Sequence, residues 1–372
     1  MDATALVVGE TGVARYAAEL LTALPGVGVQ VDAVALGRGT RESVARARRL
    51  GVRHLPVPAR VAQAVWSRAP APRVEWLGWR GGRGGGGPAL VHTRDLPPGP
   101  TRMPVVLTVH DLDALLLPAL HPGLAVQLQQ RQLDAARRAA AVCVPSGVVR
   151  DALVARGVEA GRIVVTPLGH TPLPVAGGAV WVPGGLALPP GFVLAVGAVG
   201  LRKGYDVLLE SMLALPGVRL VVAGPDGHGA AEVHRQAAAL GLGDRVSFLG
   251  RVGDGELAAL YRDADVLAFP SRAEGFGLPL VEAMAAGLPV VASDLPVVRE
   301  VTDGAALLVP VDDPAALAAG VAEVLAGVQA GVQAGGEAVR ARVLAGREVA
   351  ARRTWAACAA ATASAYLLAL GS

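Results

Sequence analysis

Residues 264–294 read ADVLAFPSRAEGFGLPLVEAMAAGLPVVASD. The apolar run Val266–Phe269, ended by a proline, predicts a short buried strand. A glycine-rich turn follows, and a proline then stands where the first turn of a helix accepts one, while Gly287 predicts the end of that helix. The stretch therefore predicts strand, turn and helix in succession. Glu274 lies in the turn, and Glu282 lies about one turn into the helix.

The turn before this helix has the features of a site for a phosphate flanked by polyols. A helix N-terminus offers free N–H groups and a positive dipole end, which suit a diphosphate. Gly275 and Gly277 let the backbone come close to a ligand. Two carboxylates beside a phosphate fit if they accept hydrogen bonds from sugar hydroxyls, which indicates a nucleotide sugar. The alternative is that Glu274 caps the helix and Glu282 lies on a solvated face.

The segment EGFGLPLVEAMAAGLPVVAS, residues 274–293, resembles the Glu-x7-Glu signature of a large family of retaining glycosyltransferases, family 4 of group 1. This resemblance implies an α/β chain of GT-B architecture, with two Rossmann-like doubly wound domains facing across a cleft. It implies transfer of a sugar from a nucleoside-diphosphate sugar to an acceptor hydroxyl. The segments at 12–16 and 108–112 resemble mannosyltransferase-like members, so GDP-mannose ranks ahead of UDP-glucose and UDP-N-acetylglucosamine as the expected donor.

The resemblance also implies roles for individual residues. Glu274 would hold the hydroxyls of the donor sugar, and Glu282 would hold those of the ribose. Arg202 and Lys203 would stabilise the leaving diphosphate. His110 would close over the sugar from the first domain. Further donor contacts are expected at Gly12, Leu249, Arg251, Gly275, Phe276, Gly277 and Leu278.

Some of these positions have independent support in the sequence, and some depart from the family pattern. Lys203 is the only lysine beside 33 arginines, and it follows Arg202 in a glycine-rich strand-to-helix turn, which is a setting for an anion. A solvated helix start is the alternative there. A histidine at the end of a strand, as predicted for His110, is well placed for a ligand but is often structural. Ala14 and Ala198 stand where members often have glycine and arginine.

The whole chain predicts two domains and a linker. Its 372 residues, 52% apolar and 17% charged, suffice for two buried cores. Repeated strand–helix patterns in both halves predict parallel sheets covered by helices, with Ala5–Gly9 and Val29–Ala35 as the first strands. The expected parts are an acceptor-binding domain over 1–172, a Pro- and Gly-rich linker over 173–190, a nucleotide-sugar domain over 191–345, and a C-terminal helix over 346–372 that returns to the first domain.

Charge is distributed unevenly between the two halves. Residues 1–180 have a balance of +8, and residues 181–372 have a balance of −5. The basic half would suit an anionic acceptor or a membrane surface, with peripheral membrane contact as one expected partner. The alternative is that a bias toward arginine alone produces it, although that bias does not explain the negative second half. Nucleic-acid binding is not expected. Arg46, Arg49 and Arg53 share a helical face, which is either solvated or directed at an acceptor or lipid. Trp66 opens a stretch of tryptophans and arginines up to residue 80 that would meet acceptor, membrane or core.

Several classes of cofactor and function are disfavoured. No Asp-x-Asp metal motif accompanies the donor segments, so no metal and no cofactor is expected. Cys143 and Cys358 lie far apart in sequence, and no signal-like segment is present, so a reducing cytoplasm is expected. No Gly-x-Gly-x-x-Gly follows a predicted strand with an acidic residue about 20 positions further on, which disfavours an NAD-dependent oxidoreductase. A nucleotide-sugar epimerase on the same scaffold and a non-catalytic partner of another transferase remain as alternatives.

Overall fold

The structure, a computed structural model, divides the chain into two units, each with its own parallel sheet. It describes residues 1–8, 12–66, 73, 89–94, 99–172, 181–182, 186–187, 191–330 and 334–371. The N-terminal unit comprises Met1–Leu115, Leu124–Gly169 and Thr354–Ser372, and the C-terminal unit comprises Leu116–Gly123 and His170–Arg353.

The N-terminal unit contains only parallel strand pairs among its described residues. Its strands are β1 (Val34–Leu36), β2 (Arg53–Leu55), β3 (Val91–Arg94), β4 (Val105–Thr108), β5 (Ala141–Val144) and β6 (Ile163–Val165). β1 pairs with β2, and β3 to β6 form a second sheet in sequential order. The first residues lie between the two sheets: Asp2 forms a parallel bridge to Val34, and its N–H donates to the carbonyl of His92 at 2.9 Å.

Helices flank these strands, and two of them begin at side-chain caps. The helices are α1 (Ala5–Val8), α2 (Gly12–Ala23), α3 (Arg41–Arg49), α4 (Ala59–Trp66), α5 (Asp113–Leu116), α6 (Gly123–Ala136) and α7 (Gly147–Val154). Thr40 accepts the N–H of Ser43 at 3.1 Å and so starts α3. Ser146 accepts the N–H of Val149 at 3.3 Å and starts α7 in the same way.

The prediction of a strand over Ala5–Gly9 is wrong. Ala5–Val8 is a short helix, and Gly9 lies outside the described residues. The Asp2 carboxylate accepts the N–H of Thr4 at 2.9 Å, which turns the chain immediately after its bridge to β1. The residues that meet the sheets are therefore those before the apolar run, not the run itself. The second predicted strand is also displaced, because β1 begins at Val34 rather than Val29.

The C-terminal unit has a six-stranded parallel sheet. Its strands are β9 (Val193–Val196), β10 (Leu220–Ala223), β11 (Val246–Gly250), β12 (Val266–Phe269), β13 (Val290–Ser293) and β14 (Leu307–Val309). Two further strands, β7 (Trp181–Val182) and β8 (Leu186–Ala187), pair antiparallel within the expected linker. The spatial order β11-β10-β9-β12-β13-β14 is that of a doubly wound dinucleotide-binding sheet, and its switch point lies between β9 and β12.

The helices of this unit cover a core made largely of valine and leucine. They are α8 (Tyr205–Ser211), α9 (Ala230–Ala239), α10 (Asp254–Asp263), α11 (Leu278–Ala286), α12 (Pro296–Thr302), α13 (Pro314–Ala330) and α14 (Ala334–Arg352). Val193, Leu208 and Val222 are fully buried in that core. In the described part of the chain, we find no helix with both the length and the apolar composition to cross a membrane.

The last helix, α15 (Trp355–Leu370), is part of the N-terminal unit. Thr354 caps it, and Cys358 and Tyr366 lie buried along it. The Tyr366 hydroxyl lies 2.7 Å from Nδ1 of His92 in β3, across 274 residues of sequence. A Cβ at Gly169 would lie 2.3 Å from the backbone nitrogen of Trp355, so glycine is needed where the chain leaves this unit.

Candidate donor site

Two loops leave the sheet of the C-terminal unit at its switch point. β9 and β12 are paired, with Val193 opposite Val266, so the segments after their carboxyl ends emerge side by side. These segments are residues 197–204, the β9 loop, and residues 270–277, the β12 loop. In doubly wound sheets, ligands bind outside the strand ends at this point. Arg202 and Lys203 lie on the β9 loop, and Glu274 lies on the β12 loop.

The charged side chains of the two loops contact one another. The Lys203 ammonium donates a hydrogen bond to Oε1 of Glu274, and the Arg202 guanidinium lies 3.8 Å from the same oxygen. The side chain of Glu274 is 8% exposed, and that of Lys203 is 14% exposed. Burial raises the pKa of Glu274, but the charges of Lys203 and then Arg202 outweigh it, so this pKa is lowered. Glu274 is thus an ionised carboxylate that accepts hydrogen bonds.

Arg272, which the sequence did not single out, joins the two loops. Its backbone N–H donates to the carbonyl of Arg202 at 2.9 Å, and the Arg202 guanidinium donates to the carbonyl of Ala273 at 2.8 Å. The Arg272 guanidinium binds both oxygens of Asp206 at 2.7 Å and reaches Asp312 at 2.6 Å. A bidentate arginine fixes geometry as well as charge. Its partners lie 66 and 40 residues away in sequence, so no local pattern indicates the role.

Glycines permit the close approach of the loops. Gly204 has a φ of +67°, and a Cβ there would lie 2.0 Å from the carbonyl oxygen of Pro270, so only glycine fits. Gly277 has a φ of +92° and immediately precedes α11. Gly275 is buried beside it. The backbone at the helix start therefore carries no side chain where a phosphate would approach.

The structure disagrees with the alternative in which Glu274 caps the helix and Glu282 is solvated. The residue before α11 is Gly277, and no side chain caps the helix there. Glu282 is 6% exposed and accepts a hydrogen bond from the Tyr261 hydroxyl at 2.9 Å. Phe276 is buried, with the Arg353 guanidinium 5.9 Å from the centre of its ring. Both carboxylates are therefore largely buried and hydrogen-bonded to other side chains.

Leu249 and Arg251, which by the resemblance correspond to the segment beside the nucleotide base, lie at the far end of the same edge. Leu249 is partly buried near the end of β11, and Arg251 follows the strand with an exposed side chain. β11 is two strands away from β9, which corresponds to roughly 10 Å at ordinary strand spacing. An extended nucleoside diphosphate can cover such a distance along a sheet edge.

The two remaining predicted residues belong to the N-terminal unit. His110 follows β4, and its ring lies edge-on to Tyr16 with the centroids 4.6 Å apart. No hydrogen-bond partner for its Nε2 is present among the described residues. Burial, followed by the charge of Arg94, lowers the pKa of His110 to about 3, so the imidazole is neutral. Gly12 begins α2 and is exposed, next to residues 9–11, which lie outside the described set.

A buried polar chain that the sequence did not reveal lies behind His110. The Tyr16 hydroxyl is 3.0 Å from Oγ1 of Thr108, and Nε2 of His92 is 2.8 Å from the same oxygen. Tyr366 completes the chain at Nδ1 of His92. Burial lowers the pKa of His92 to about 3. The members lie on four separate elements, so only the tertiary fold brings them together.

Of the twelve predicted residues, ten lie in the C-terminal unit and two in the N-terminal unit. Within the described ranges, no three His, Cys, Asp or Glu side chains are grouped to hold a metal ion. Cys143 and Cys358 are free and buried, and burial raises the pKa of each thiol. Trp66 packs close to Gly99, where a Cβ would lie 2.7 Å from the indole, while the tryptophans at 76 and 79 lie outside the described residues.

Comparison with protein families gives two matches that together span most of the chain. The model described as glycosyl transferases group 1 matches residues 184–331, and the one described as glycosyltransferase family 4 matches residues 11–171. Among curated proteins, the D-inositol 3-phosphate glycosyltransferases of Mycolicibacterium smegmatis and Mycobacterium tuberculosis H37Ra are 44% identical over 113 residues. These matches cover 29% of this chain and only about a quarter of each relative, 26% and 24%.

Solved structures resemble the chain over nearly its full length. Sucrose-phosphate synthase from Thermosynechococcus elongatus has a TM-score of 0.71 at 24% identity, covering 98% of this chain and 96% of that one. HepE from Anabaena, solved with UDP-glucose, has a TM-score of 0.64 at 19% identity and covers 96% of both chains. WaaG, a glycosyltransferase of lipopolysaccharide biosynthesis, has a TM-score of 0.66 at 16% identity and covers 97% of both. The expected GT-B fold with two Rossmann-like domains is confirmed.

Proposed function

We propose, from the premise that this chain belongs to the group 1 glycosyltransferases of glycosyltransferase family 4, that it transfers a hexose from a nucleoside-diphosphate sugar to an acceptor hydroxyl with retention of configuration. The observation that carries the proposal is the buried contact between Lys203 and Glu274 at the switch point of the C-terminal sheet, beside the N-terminus of α11. This arrangement holds positive charge and an ionised acceptor of hydrogen bonds within one small volume.

The diphosphate would bind between the β9 loop and the start of α11. Lys203 has three N–H donors, so it can keep its bond to Glu274 while donating to a phosphate oxygen. Arg202 is 28% exposed at its side chain and lies next to it. The free N–H groups at Gly277 and Leu278 add the positive end of the helix dipole. These groups would stabilise the charge that develops on the leaving diphosphate.

The carboxylates would hold the two sugars. Glu274 is ionised and acceptor-only, so it can receive hydrogen bonds from hydroxyls of the transferred sugar. Glu282, about one turn into α11, would receive those of the ribose. His110 would contact the transferred sugar as a neutral imidazole, which can donate from one nitrogen and accept at the other. Gly12, in the same unit as His110, would be a further contact of the diphosphate.

The reaction then proceeds on one face of the sugar. The bond between the anomeric carbon and the diphosphate oxygen breaks, the acceptor oxygen bonds to that carbon on the same face, and the acceptor proton passes to an oxygen of the leaving phosphate. The protein supplies positioning and preorganised charge and no covalent group. We further propose that the reaction proceeds without a divalent metal, so a chelator would leave turnover unchanged.

We propose two specific donor sugars and a broader class of acceptor. GDP-mannose is the first donor to test, because the segments at 12–16 and 108–112 resemble mannosyltransferase-like members. UDP-glucose is the second, because HepE was solved with it. The acceptor is a glycan, a lipid or a small molecule, met in the cytoplasm at the membrane face through the basic N-terminal unit.

The test is calorimetric titration of the chelator-treated protein with GDP, UDP and ADP. One nucleotide is expected to bind, and Glu282→Gln is expected to weaken it because the ribose loses a charged acceptor. Glu348→Gln, which removes an exposed carboxylate on α14, is the matched control. Failure of all three nucleotides to bind would overturn the donor site. Binding that yields no transfer, or interconversion of the sugar without acceptor, would point to the non-catalytic or epimerase alternatives.

A further inference from the structure

A groove in the N-terminal unit lies outside the site described above. It is lined by one face of α3 and by the segment after β2, with a volume of about 720 Å³. Arg41, Arg48 and Arg49 of α3 and His54 of β2 are part of its lining. We call it the arginine groove. It contains one of the three arginines singled out from helical spacing, whereas Arg46 and Arg53 are not part of its lining.

Among the described residues, no carboxylate is paired with the three arginines of the arginine groove. Arg41, Arg48 and Arg49 are exposed, no carboxylate is part of the lining, and none of the three has an ion-pair or hydrogen-bond partner within the described segments. Elsewhere in the same unit, some surface arginines are paired with acids nearby in sequence, as in Arg137 with Asp134 at 2.8 Å. Others, such as Arg53 in β2 and Arg138 just after α6, lie on separate segments of the chain. Crowded like charges oppose folding, so an unneutralised group of arginines in a concave surface indicates an anionic ligand.

The lining also has an apolar part. It consists of Val44, Ala45 and Pro56. A volume of about 720 Å³ is far more than a lone phosphate needs and falls in the range of ordinary ligand pockets. Arginine binds phosphate through a planar pair of N–H groups, which makes it well suited to this anion. The groove therefore fits a phosphate attached to a larger, partly apolar or sugar-bearing group.

The groove shares a sheet edge with His110. Gly39 and Thr40 follow the carboxyl end of β1, Pro56 follows that of β2, and His110 follows that of β4. All described strands of this unit run parallel, and residues 1–3 join β1 to β3. Three strand spacings separate β1 from β4, which places the groove roughly 14 Å from the histidine along this edge.

We propose that the arginine groove binds the phosphate group of an elongated acceptor whose reacting hydroxyl lies near His110. The inference rests on the proposed transferase function, and it adds the acceptor class: a phosphate ester at least 14 Å long by the strand-spacing estimate, longer than a single sugar ring. A soluble phosphorylated glycan and a lipid phosphate at a membrane surface share this chemistry. The experiment separates these two sources.

The test uses the full chain and two probes, with the donor site saturated by whichever nucleotide binds it. Inorganic pyrophosphate is titrated by calorimetry, and vesicles of phosphatidylcholine, with or without phosphatidylglycerol, are used in co-sedimentation. Arg48→Ala with Arg49→Ala removes two charges from the groove. Arg53→Ala with Arg138→Ala removes two exposed charges outside it and serves as the matched control.

The groove variant is expected to lose about tenfold or more in affinity for a bound probe, since a charged hydrogen bond is lost, while the control pair changes it little. Loss of pyrophosphate binding assigns a soluble phosphate ester. Loss of sedimentation with phosphatidylglycerol alone assigns a lipid phosphate. Equal losses in the two variants, or no binding of either probe to the unmodified chain, overturn the proposal. Nucleotide affinity is expected to be the same in both variants. Nucleotide binding therefore tests the donor site, and binding of the two probes tests the groove.

Discussion

Replacing Lys203 by methionine is expected to destabilise the C-terminal unit in a manner that depends on pH. The substitution leaves the Glu274 carboxylate buried without its nearest cation, although Arg202 remains 3.8 Å away. Removing one member of a buried ion pair costs about 3–5 kcal/mol, and the residual exposure of Lys203 and the presence of Arg202 favour the lower end, about 3 kcal/mol. Glu274 can also escape by taking up a proton.

Protonation sets a ceiling on that cost. Protonating a carboxylate of ordinary pKa costs at most about 3.7 kcal/mol at pH 7 and about 1 kcal/mol at pH 5. The lowered pKa of Glu274 in the folded protein stabilises the fold above the unfolded pKa, and this contribution is lost as pH falls through the folded value. The cost of Lys203→Met should therefore shrink from about 3 kcal/mol at pH 7 to about 1 kcal/mol at pH 5.

The assay is native-state hydrogen exchange of segments 193–204 and 266–278, because it reports on this region without requiring the two units to unfold together. A double-mutant cycle with Glu274→Gln should give a coupling of about 2 kcal/mol. Arg235→Met, which breaks an exposed pair with Glu232, is the control and should cost under about 1 kcal/mol. Additive effects in the cycle, or the same cost at both pH values, would refute the reasoning.

Three further results are expected. Arg272→Gln should lower kcat/KM roughly ten- to hundredfold through displaced loops, whereas Asp312→Asn, which removes one exposed contact, should leave steady-state kinetics near normal. Gly204→Ala should cost about 3 kcal/mol more in urea denaturation than Gly217→Ala, which has a similar positive φ but open space around its Cβ; equal costs would contradict the clash. Because the pKa of His92 is lowered to about 3, denaturation of the N-terminal unit should become easier as pH falls from about 6.5 to about 3, and His92→Gln should flatten that slope by about one proton.

The parts of the fold that were predictable from sequence are those with local signals. Val266–Phe269 is a strand as its apolar run and following proline predict, and α11 ends at Gly287 in the left-handed conformation. Thr40 starts α3 as expected. The failure at Ala5–Val8 has a different origin, because an apolar run of that length suits a helix as well as a strand, and a hydrogen bond from Thr4 to Asp2 decides between them.

The site residues that a local sequence pattern positions could be predicted. Those that depend on contacts between distant segments could not. Glu274 and Glu282 lie in a turn and a helix that the same stretch predicts. Arg272 lies within that stretch, but its importance comes from Asp206 on another element. The chain from Tyr16 to Tyr366 is further removed, since one of its hydrogen bonds, between His92 and Tyr366, joins residues 274 positions apart. Such contacts appear only when strands are placed beside one another.

The discontinuous composition of the N-terminal unit has a consequence for synthesis on the ribosome. The unit combines residues before Gly169 with the helix that begins at Trp355, whereas most of the C-terminal unit lies between these two points. As the chain emerges, the C-terminal unit can therefore finish folding before the N-terminal unit receives its last helix. Until then, the surface of the nascent domain that later covers Cys358 and Tyr366 stays open to solvent. The domain that is translated first is thus the one completed last, and it is the one a chaperone would need to protect.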